Sequence, residues 1–262
     1  MTQNEDSMEI ESIFDCIEYG EPQSDIQDKF KHPGWQTDKD TDGATPLMVW
    51  IECRNNEAIL DELKYPGWQT DKNKLGNTPL MIWIKCRSDE PMYDELKYPG
   101  WQIDRDGDDN TPLMLWIELK YDSNIPEDFK YSGWQIDRNS NEDTPLMLWI
   151  ECRCNEQIYD ELKYPGWQTD KDADESNPLM LWIECRCNEQ IYDELKYPGW
   201  QTDKNTYGET PLMFWIVHRI HEPICDELKY LDWQTDKTNY GCIPSMLWSQ
   251  YRKNEPRDWI QN

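Results

Sequence analysis

The apolar residues of this chain fall in short unbroken runs, and the runs recur. Leu146, Met147, Leu148, Trp149 and Ile150 stand together directly after Thr144-Pro145. Thr144 is a good helix N-cap, and Pro145 suits the first helical position, where its missing N–H costs nothing. Five consecutive apolar residues on a helix imply burial on most sides. A sparser pattern follows. Ile158 and Leu162 are four apart, which places them on one face of a second helix. Their counterparts are Ile59 and Leu63, Met92 and Leu96, Ile125 and Phe129, Ile191 and Leu195, and Ile224 and Leu228. Asn155 is placed to cap that helix, as are Asn56, Asp89, Asp122, Asn188 and Asn254. Arg153 closes the first helix, Pro165-Gly166 stops the second, and the turn-rich stretch from Trp167 to Ala173 then projects.

The spacing is constant. Trp35, Trp68, Trp101, Trp134, Trp167, Trp200 and Trp233 stand 33 residues apart, and so do Trp50, Trp83, Trp116, Trp149, Trp182, Trp215 and Trp248. Residues 151–171 and 184–204 are identical. A fixed period of this length predicts stacked supersecondary repeats. The fold expected is therefore an all-α, helix-turn-helix solenoid with projecting hairpin loops and about eight stacked repeats. Residues 1–41 read as a divergent N-terminal capping repeat, with Ile13, Phe14 and Ile17 on its first helix and Ile26 and Phe30 on its second. Residues 42–239 form six repeats. Residues 240–262 form a truncated C-terminal cap, in which Arg257 replaces the usual apolar residue.

The segments Gly43-Ala44-Thr45-Pro46-Leu47, Gly76-Asn77-Thr78-Pro79-Leu80 and Gly208-Glu209-Thr210-Pro211-Leu212 open the first helix of their repeats. With the 33-residue period they resemble the ankyrin repeat over nearly the whole chain. The chain departs from that pattern in several places. Met follows Thr-Pro-Leu where the family has His, and Trp stands two residues later in place of a small Ala. Arg or a similar residue replaces the Gly between helices. Asp109, Glu142 and Glu175 replace the opening Gly, and Asn177 and Ile243 replace Thr. Glu95, Glu161 and Glu194 occupy the place of a second helix-2 Leu, which suggests that Trp fills the space Leu vacates. The resemblance implies protein–protein contacts without catalysis.

Composition then narrows the function. The 262 residues carry 26 Lys plus Arg against 53 Asp plus Glu, a net charge of −27. Leu, Ile, Val and Phe make up under a fifth of the chain, but 15 Trp, 14 Tyr and 10 Met supply large buriable area. Such acidity argues against binding nucleic acid through its phosphates. No apolar run spans a membrane, and the N-terminal residues have no secretory pattern. Nine cysteines, an odd number, read as reduced thiols in a cytoplasmic protein. No cofactor is expected, and the chain is expected to be monomeric.

Local chemistry is sparse. Asp38-Lys39-Asp40-Thr41-Asp42-Gly43 begins like an EF-hand loop, but Val49 stands where the twelfth-position Glu should be. The similar stretches at 104–108 and 170–174 run into Leu115 and Leu181, so all three read as acidic solvated loops. Cys152-x-Cys154 and Cys185-x-Cys187 point to different helix faces, and three histidines complete no zinc quartet. His218 and His221 read as solvating the break between helices. No catalytic or phosphate-binding motif is present, and the chain is read as non-enzymatic. The pairs Asp61-Glu62, Asp94-Glu95, Asp160-Glu161, Asp193-Glu194 and Asp226-Glu227 are expected to repel one another along a solvated face. The loop-base acids Asp38, Asp71, Asp104, Asp137, Asp170, Asp203 and Asp236 are each followed by a Lys or Arg that neutralises them.

The leading functional expectation is a protein–protein interaction scaffold that uses the concave hairpin-loop and helix-1 face for a partner with a basic surface. An acidic decoy of nucleic-acid-binding surfaces, or a structural array without a dedicated partner, are the alternatives. Repeats differ most at their loop tips, so the candidate partner-binding residues lie there. They are Lys74 and Leu75, Asp106 and Asp108, Asn139 and Asn141, Asp172 and Asp174, Thr206 and Tyr207, and Asn239 and Tyr240. Tyr207 and Tyr240 are the best individual candidates, able to present amphipathic area at small entropic cost. The tryptophans that follow Pro-Gly are read either as packing under the loop or as partly exposed contact area.

Overall fold

A computed structural model describes residues 12–19, 26–54, 57–87, 92–119, 124–153, 157–185 and 190–252. Eight α-helices and no strand occur among them: α1 (Ile13–Tyr19), α2 (Pro46–Cys53), α3 (Pro79–Cys86), α4 (Pro112–Leu119), α5 (Pro145–Cys152), α6 (Pro178–Cys185), α7 (Pro211–His218) and α8 (Pro244–Tyr251). The chain divides into two compact modules, residues 1–131 and 132–262. In the N-terminal module α1 to α4 pack successively, and in the C-terminal module α5 to α8 do the same. The architecture is a helical repeat array, as the period predicts.

Each long helix begins as its sequence dictates. The side-chain oxygens of Thr45, Thr78, Thr111, Thr144 and Thr210 accept from the backbone N–H three residues on, at 3.3–3.5 Å. Asn177 does the same for Met180 at 2.9 Å, so the Asn in place of Thr keeps the cap. Ile243 provides no such bond, and α8 starts without one. In α2 to α7 the apolar run is buried, and Trp50, Trp83, Trp149 and Trp182 are at most 1% exposed, while in α8 Met246 is exposed.

The second helix does not form. In its place each repeat has a short extended segment and a single 3₁₀ turn, at Asp61–Leu63, Asp94–Leu96, Glu127–Phe129, Asp160–Leu162, Asp193–Leu195 and Asp226–Leu228. Ile158 and Leu162 are both buried, but they come from the extended segment and the turn rather than from one helical face. In the repeats with Pro66, Pro99, Pro165 and Pro198 the proline biases the residue before it away from helix, but the repeats with Ser132 and Leu231 at that position form the same turn. The indole N–H groups of Trp50, Trp149 and Trp215 donate to the carbonyls of Ala58, Gln157 and Pro223 at 3.1–3.2 Å. Those carbonyls would otherwise serve a helix. Tyr159 and Tyr192 lie 4.4 Å, ring to ring, from Trp149 and Trp182. Asn155 and its counterparts at 56, 89, 122, 188 and 254, and Arg257, lie outside the described residues.

At Arg54, Arg87, Arg219 and Arg252 the residue closing the helix is more than a stop. Arg219 is 1% exposed; its Nε donates to the Ile183 carbonyl at 2.9 Å and its Nη2 to the Trp182 carbonyl at 3.1 Å. It thus caps the end of the preceding helix, α6. Arg252 does the same for α7 through the Ile216 and Trp215 carbonyls. Arg54 reaches Ile17 and Cys16 of α1, and Arg87 reaches Ile51 of α2. The guanidiniums of Arg54, Arg153, Arg219 and Arg252 also lie 4.4–5.4 Å from the indole ring of their own repeat.

After the 3₁₀ turn comes Pro-Gly or its equivalent, then a second 3₁₀ turn that starts at the other tryptophan series. All seven of these tryptophans are buried, so they pack under the loop. Neighbouring hairpins approach closely: a Cβ on Gly76 would stand 2.8 Å from the Gly107 nitrogen, and Gly76 has a φ of +74°. Asp109, Glu142 and Glu175 hold the same left-handed backbone at φ of 57–62° without being glycine.

Truncating a wholly buried indole removes both its transfer energy and its packing. Trp149→Ala is expected to lower the stability of the C-terminal module by about 3–5 kcal/mol. Chemical denaturation followed by circular dichroism measures this, and an unchanged midpoint would remove Trp149 from the core.

Candidate functional site

The projecting hairpins are built by one side chain each. Asp106 Oδ1 accepts from the backbone N–H groups of Asp108 and Asn110 at 3.0 and 2.9 Å. Asn139 Oδ1 accepts likewise from Asn141 and Asp143, and Asn205 Oδ1 from Tyr207 and Glu209. Asp172 accepts from Ser176 at 2.7 Å. Asp40 fills the same role at the first hairpin, so the residue at the third position of the EF-hand-like stretch holds its own turn. Among the described residues, no three His, Cys, Asp or Glu converge as a metal site would require.

This geometry sorts the twelve candidate residues. Asp106 and Asn139 are buried and Asp172 is half-buried, and all three hold the turn together. Lys74, Leu75, Asp108, Asn141, Asp174, Thr206, Tyr207, Asn239 and Tyr240 are exposed at the tips. Leu75 is 67% exposed, Tyr207 43% and Tyr240 79%. Successive tips are joined by one backbone bond each: Gly107 N–H to Leu75 O, Ala173 N–H to Asn141 O, Thr206 N–H to Asp174 O, and Asn239 N–H to Tyr207 O, at 2.6–2.8 Å. The Tyr207 hydroxyl donates to Asp174 at 3.4 Å, tying that ring loosely to the preceding tip, while Tyr240 stands clear.

The acidic face expected to be self-repelling is instead bridged. Lys64 donates to Asp61 of its own repeat at 2.8 Å and to Glu95 of the next at 2.6 Å. Lys31, Lys97, Lys163 and Lys196 join the corresponding pairs. These bonds hold the carboxyls of Asp61, Asp94, Asp160 and Asp193 below the usual range. Burial works against the charge on Lys64, yet its bonds to Asp61 and Glu95 prevail and raise its pKa. At the loop bases the cations also reach forward: Arg138 contacts Asp170 at 3.0 Å, Lys171 contacts Asp203 at 3.4 Å, and Lys204 contacts Asp236 at 3.4 Å. His218 packs its ring on Phe214 and faces Glu184 at 3.7 Å.

A cavity of about 290 Å³ between the hairpins and α5 is lined by Asn141, Asp143, Glu151, Asp172, Ala173 and Asp174. The Asp143 carboxyl is pushed up to about 6 by burial and by the charge of Asp172, against a hydrogen bond from Asn139 and the charge of Arg138. Burial raises Asp172 as well. Asp143 and Glu151 were not among the residues picked out by tip variability. They lie at the base of the hairpin and on the helix, where the signal is a charge change between repeats: Ala44, Asn77, Asn110, Asp143, Ser176 and Glu209 share one repeat position.

No family model matches the chain, and no curated protein does. Among the described residues no helix is long and apolar enough to cross a membrane.

Because the Asp143 carboxyl takes up its proton more readily folded than unfolded, it costs stability as pH rises from about 4 to about 6. Asp143→Asn is expected to be more stable than the parent at about pH 7.5, with the gap closing by about pH 4. Denaturant midpoints of the two proteins across that range measure it, and a pH-independent gap would contradict the assignment.

Proposed function

We propose that the chain is a non-catalytic, intracellular scaffold of ankyrin-like repeats that binds a protein with a basic surface. The observation carrying this reading is the contrast between frame and tip. The buried helix, its cap, its arginine and its tryptophans recur from repeat to repeat, whereas the exposed hairpin tips change and present Leu75, Tyr207 and Tyr240 to solvent. Side chains that packing does not constrain are free to encode a partner. Aromatic tips supply contact area with little rotamer entropy to lose, and the surrounding carboxylates favour a cationic counterpart by steering and complementarity. The lysine bridges weigh against a decoy of phosphate ladders, since they interrupt the rows of negative charge.

The test is a pull-down at low and high salt with identification of what is retained. A single basic protein, lost as salt rises, supports the scaffold; a set of DNA-binding proteins supports the decoy; nothing reproducible contradicts both. With a partner in hand, Tyr207→Ala combined with Tyr240→Ala is expected to weaken binding by at least about 2 kcal/mol, a hot-spot-sized loss. Thermal stability should not change, since both rings are exposed. Full affinity in the double variant would move the site away from these tips.

A further inference from the structure

The joints between successive 3₁₀ segments provide their own comparison. In the C-terminal module a groove of about 520 Å³ opens where Asp160–Leu162 adjoins Asp193–Leu195. Tyr159, Tyr192 and Lys163 line it, together with the exposed carboxylates of Asp160, Asp193 and Glu194. In the N-terminal module a groove of the same volume adjoins Asp28 and Asp61. Its ion pairs match: Lys31 meets Asp28 and Glu62 as Lys163 meets Asp160 and Glu194. Its walls do not, because Gln27 and Leu60 stand at the repeat position of Tyr159 and Tyr192. Other repeats place Pro126 and Cys225 there, so packing does not require an aromatic at this position. Where the tyrosines occur, each is half-buried, and its ring rests 4.4 Å from the indole of its own repeat. The indole steadies the ring as part of the groove wall.

We propose that the groove walled by Tyr159 and Tyr192 receives an arginine side chain of a basic protein partner, its guanidinium stacked on the tyrosine rings and bonded to the carboxylates beside them. This rests on the protein-binding reading above and adds a second contact to the hairpin tips. Charge selects the sign of the occupant. Three carboxylates of the groove outnumber its one ammonium, and Lys163 is already held by Asp160 and Glu194 at 2.8 and 2.6 Å, so an anion finds no free donor there. Lys163 and Lys196 bond to Oδ1 of Asp160 and Asp193, and no donor among the described residues meets Oδ2 of either. A carboxylate accepts several hydrogen bonds, so each can take a further one. The aromatic walls select arginine over lysine. A guanidinium is planar and weakly hydrated, so it stacks on a ring while its edge bonds to a carboxylate; an ammonium is a strongly hydrated point charge without a flat face.

The probes are hexa-arginine and hexalysine, equal in charge, each titrated against the full chain by calorimetry. The parent is compared with Tyr159→Gln combined with Tyr192→Leu, which gives this groove the walls of the N-terminal one. These substitutions change no charge, so the general attraction of an acidic chain for a polycation is the same in both proteins. The parent is expected to bind hexa-arginine about tenfold more tightly than hexalysine, and the double variant to bind the two within about twofold of each other. Tyr192→Leu alone should fall between, and it serves if the double variant does not fold. Tyr159→Phe combined with Tyr192→Phe keeps the rings and should keep the preference, as should Tyr93→Leu, which removes a tyrosine of the same repeat position from the N-terminal module. Equal binding of the two peptides by the parent would overturn the proposal. So would a preference that survives loss of both rings, or one that disappears in the phenylalanine pair. The pull-down separates this from the broader reading: a basic partner retained equally by the parent and the double variant sinks the groove and leaves the scaffold. Failure to retain any partner sinks the scaffold, while the peptide titrations still decide the groove.

Discussion

The arginine that ends one helix and caps the one before it is the constraint on which each module depends. An eight-residue helix leaves half of its carbonyls without an intrahelical donor, at its negative dipole end. Here those carbonyls face inward, away from water. The guanidinium offers a planar fork that reaches two or three of them at once and stays charged when buried. Arg252 reaches Trp215 and Ile216 of α7 and, beyond the helix, Arg219 and Glu222, so one side chain gathers carbonyls from an entire helix exit. The same guanidinium lies near its own repeat's indole. Tryptophan and arginine therefore work as a pair: the indole gives the apolar mass of the layer, and the arginine fixes which layer it stacks on.

The outer edges are organised by the same logic at lower cost. A chain with net charge −27 would be expected to swell through self-repulsion. Lys31, Lys64, Lys97, Lys163 and Lys196 are placed where each meets two acids, one in its own repeat and one in the next, as Lys163 does with Asp160 and Glu194. A single exposed pair contributes about 0–1 kcal/mol. A regular set across the joints adds register as well, since a lysine that must satisfy acids in two repeats opposes slippage between them.

The first helix was legible because everything that specifies it is local: the capping Thr, the Pro at the first position and the unbroken apolar run. The buried tryptophans and the loop positions followed from the same period. The second helix does not form although Ile158 and Leu162 satisfy helical spacing, because the pattern of two apolar residues four apart is equally met by an extended segment followed by a 3₁₀ turn, in which the Gln157 carbonyl accepts from the Trp149 indole. Arg153 and its equivalents looked like polar stops since a charged residue after an apolar run is ordinarily solvated. Only the stacked neighbour reveals the carbonyls that receive them. The acid pairs looked repulsive because the lysine that meets the second acid of each pair lies 31 residues away in sequence, across a joint between repeats. At the loops, variability picked out Leu75, Tyr207 and Tyr240 correctly as exposed. It could not separate them from Asp106 and Asn139, whose side chains hold the turn.

The central claim is that the arginine fork, rather than apolar burial alone, couples adjacent helices. Arg219→Lys tests it most directly, since it keeps the charge and much of the stem but cannot reach Ile183 and Trp182 together. Stranding one buried carbonyl costs about 1–3 kcal/mol, so this substitution should lower the denaturation free energy of the C-terminal module by more than about 2 kcal/mol. Amide exchange should quicken first in α6 and α7. An unchanged midpoint, with protection in those helices intact, would show that the apolar layers hold the array without the arginine.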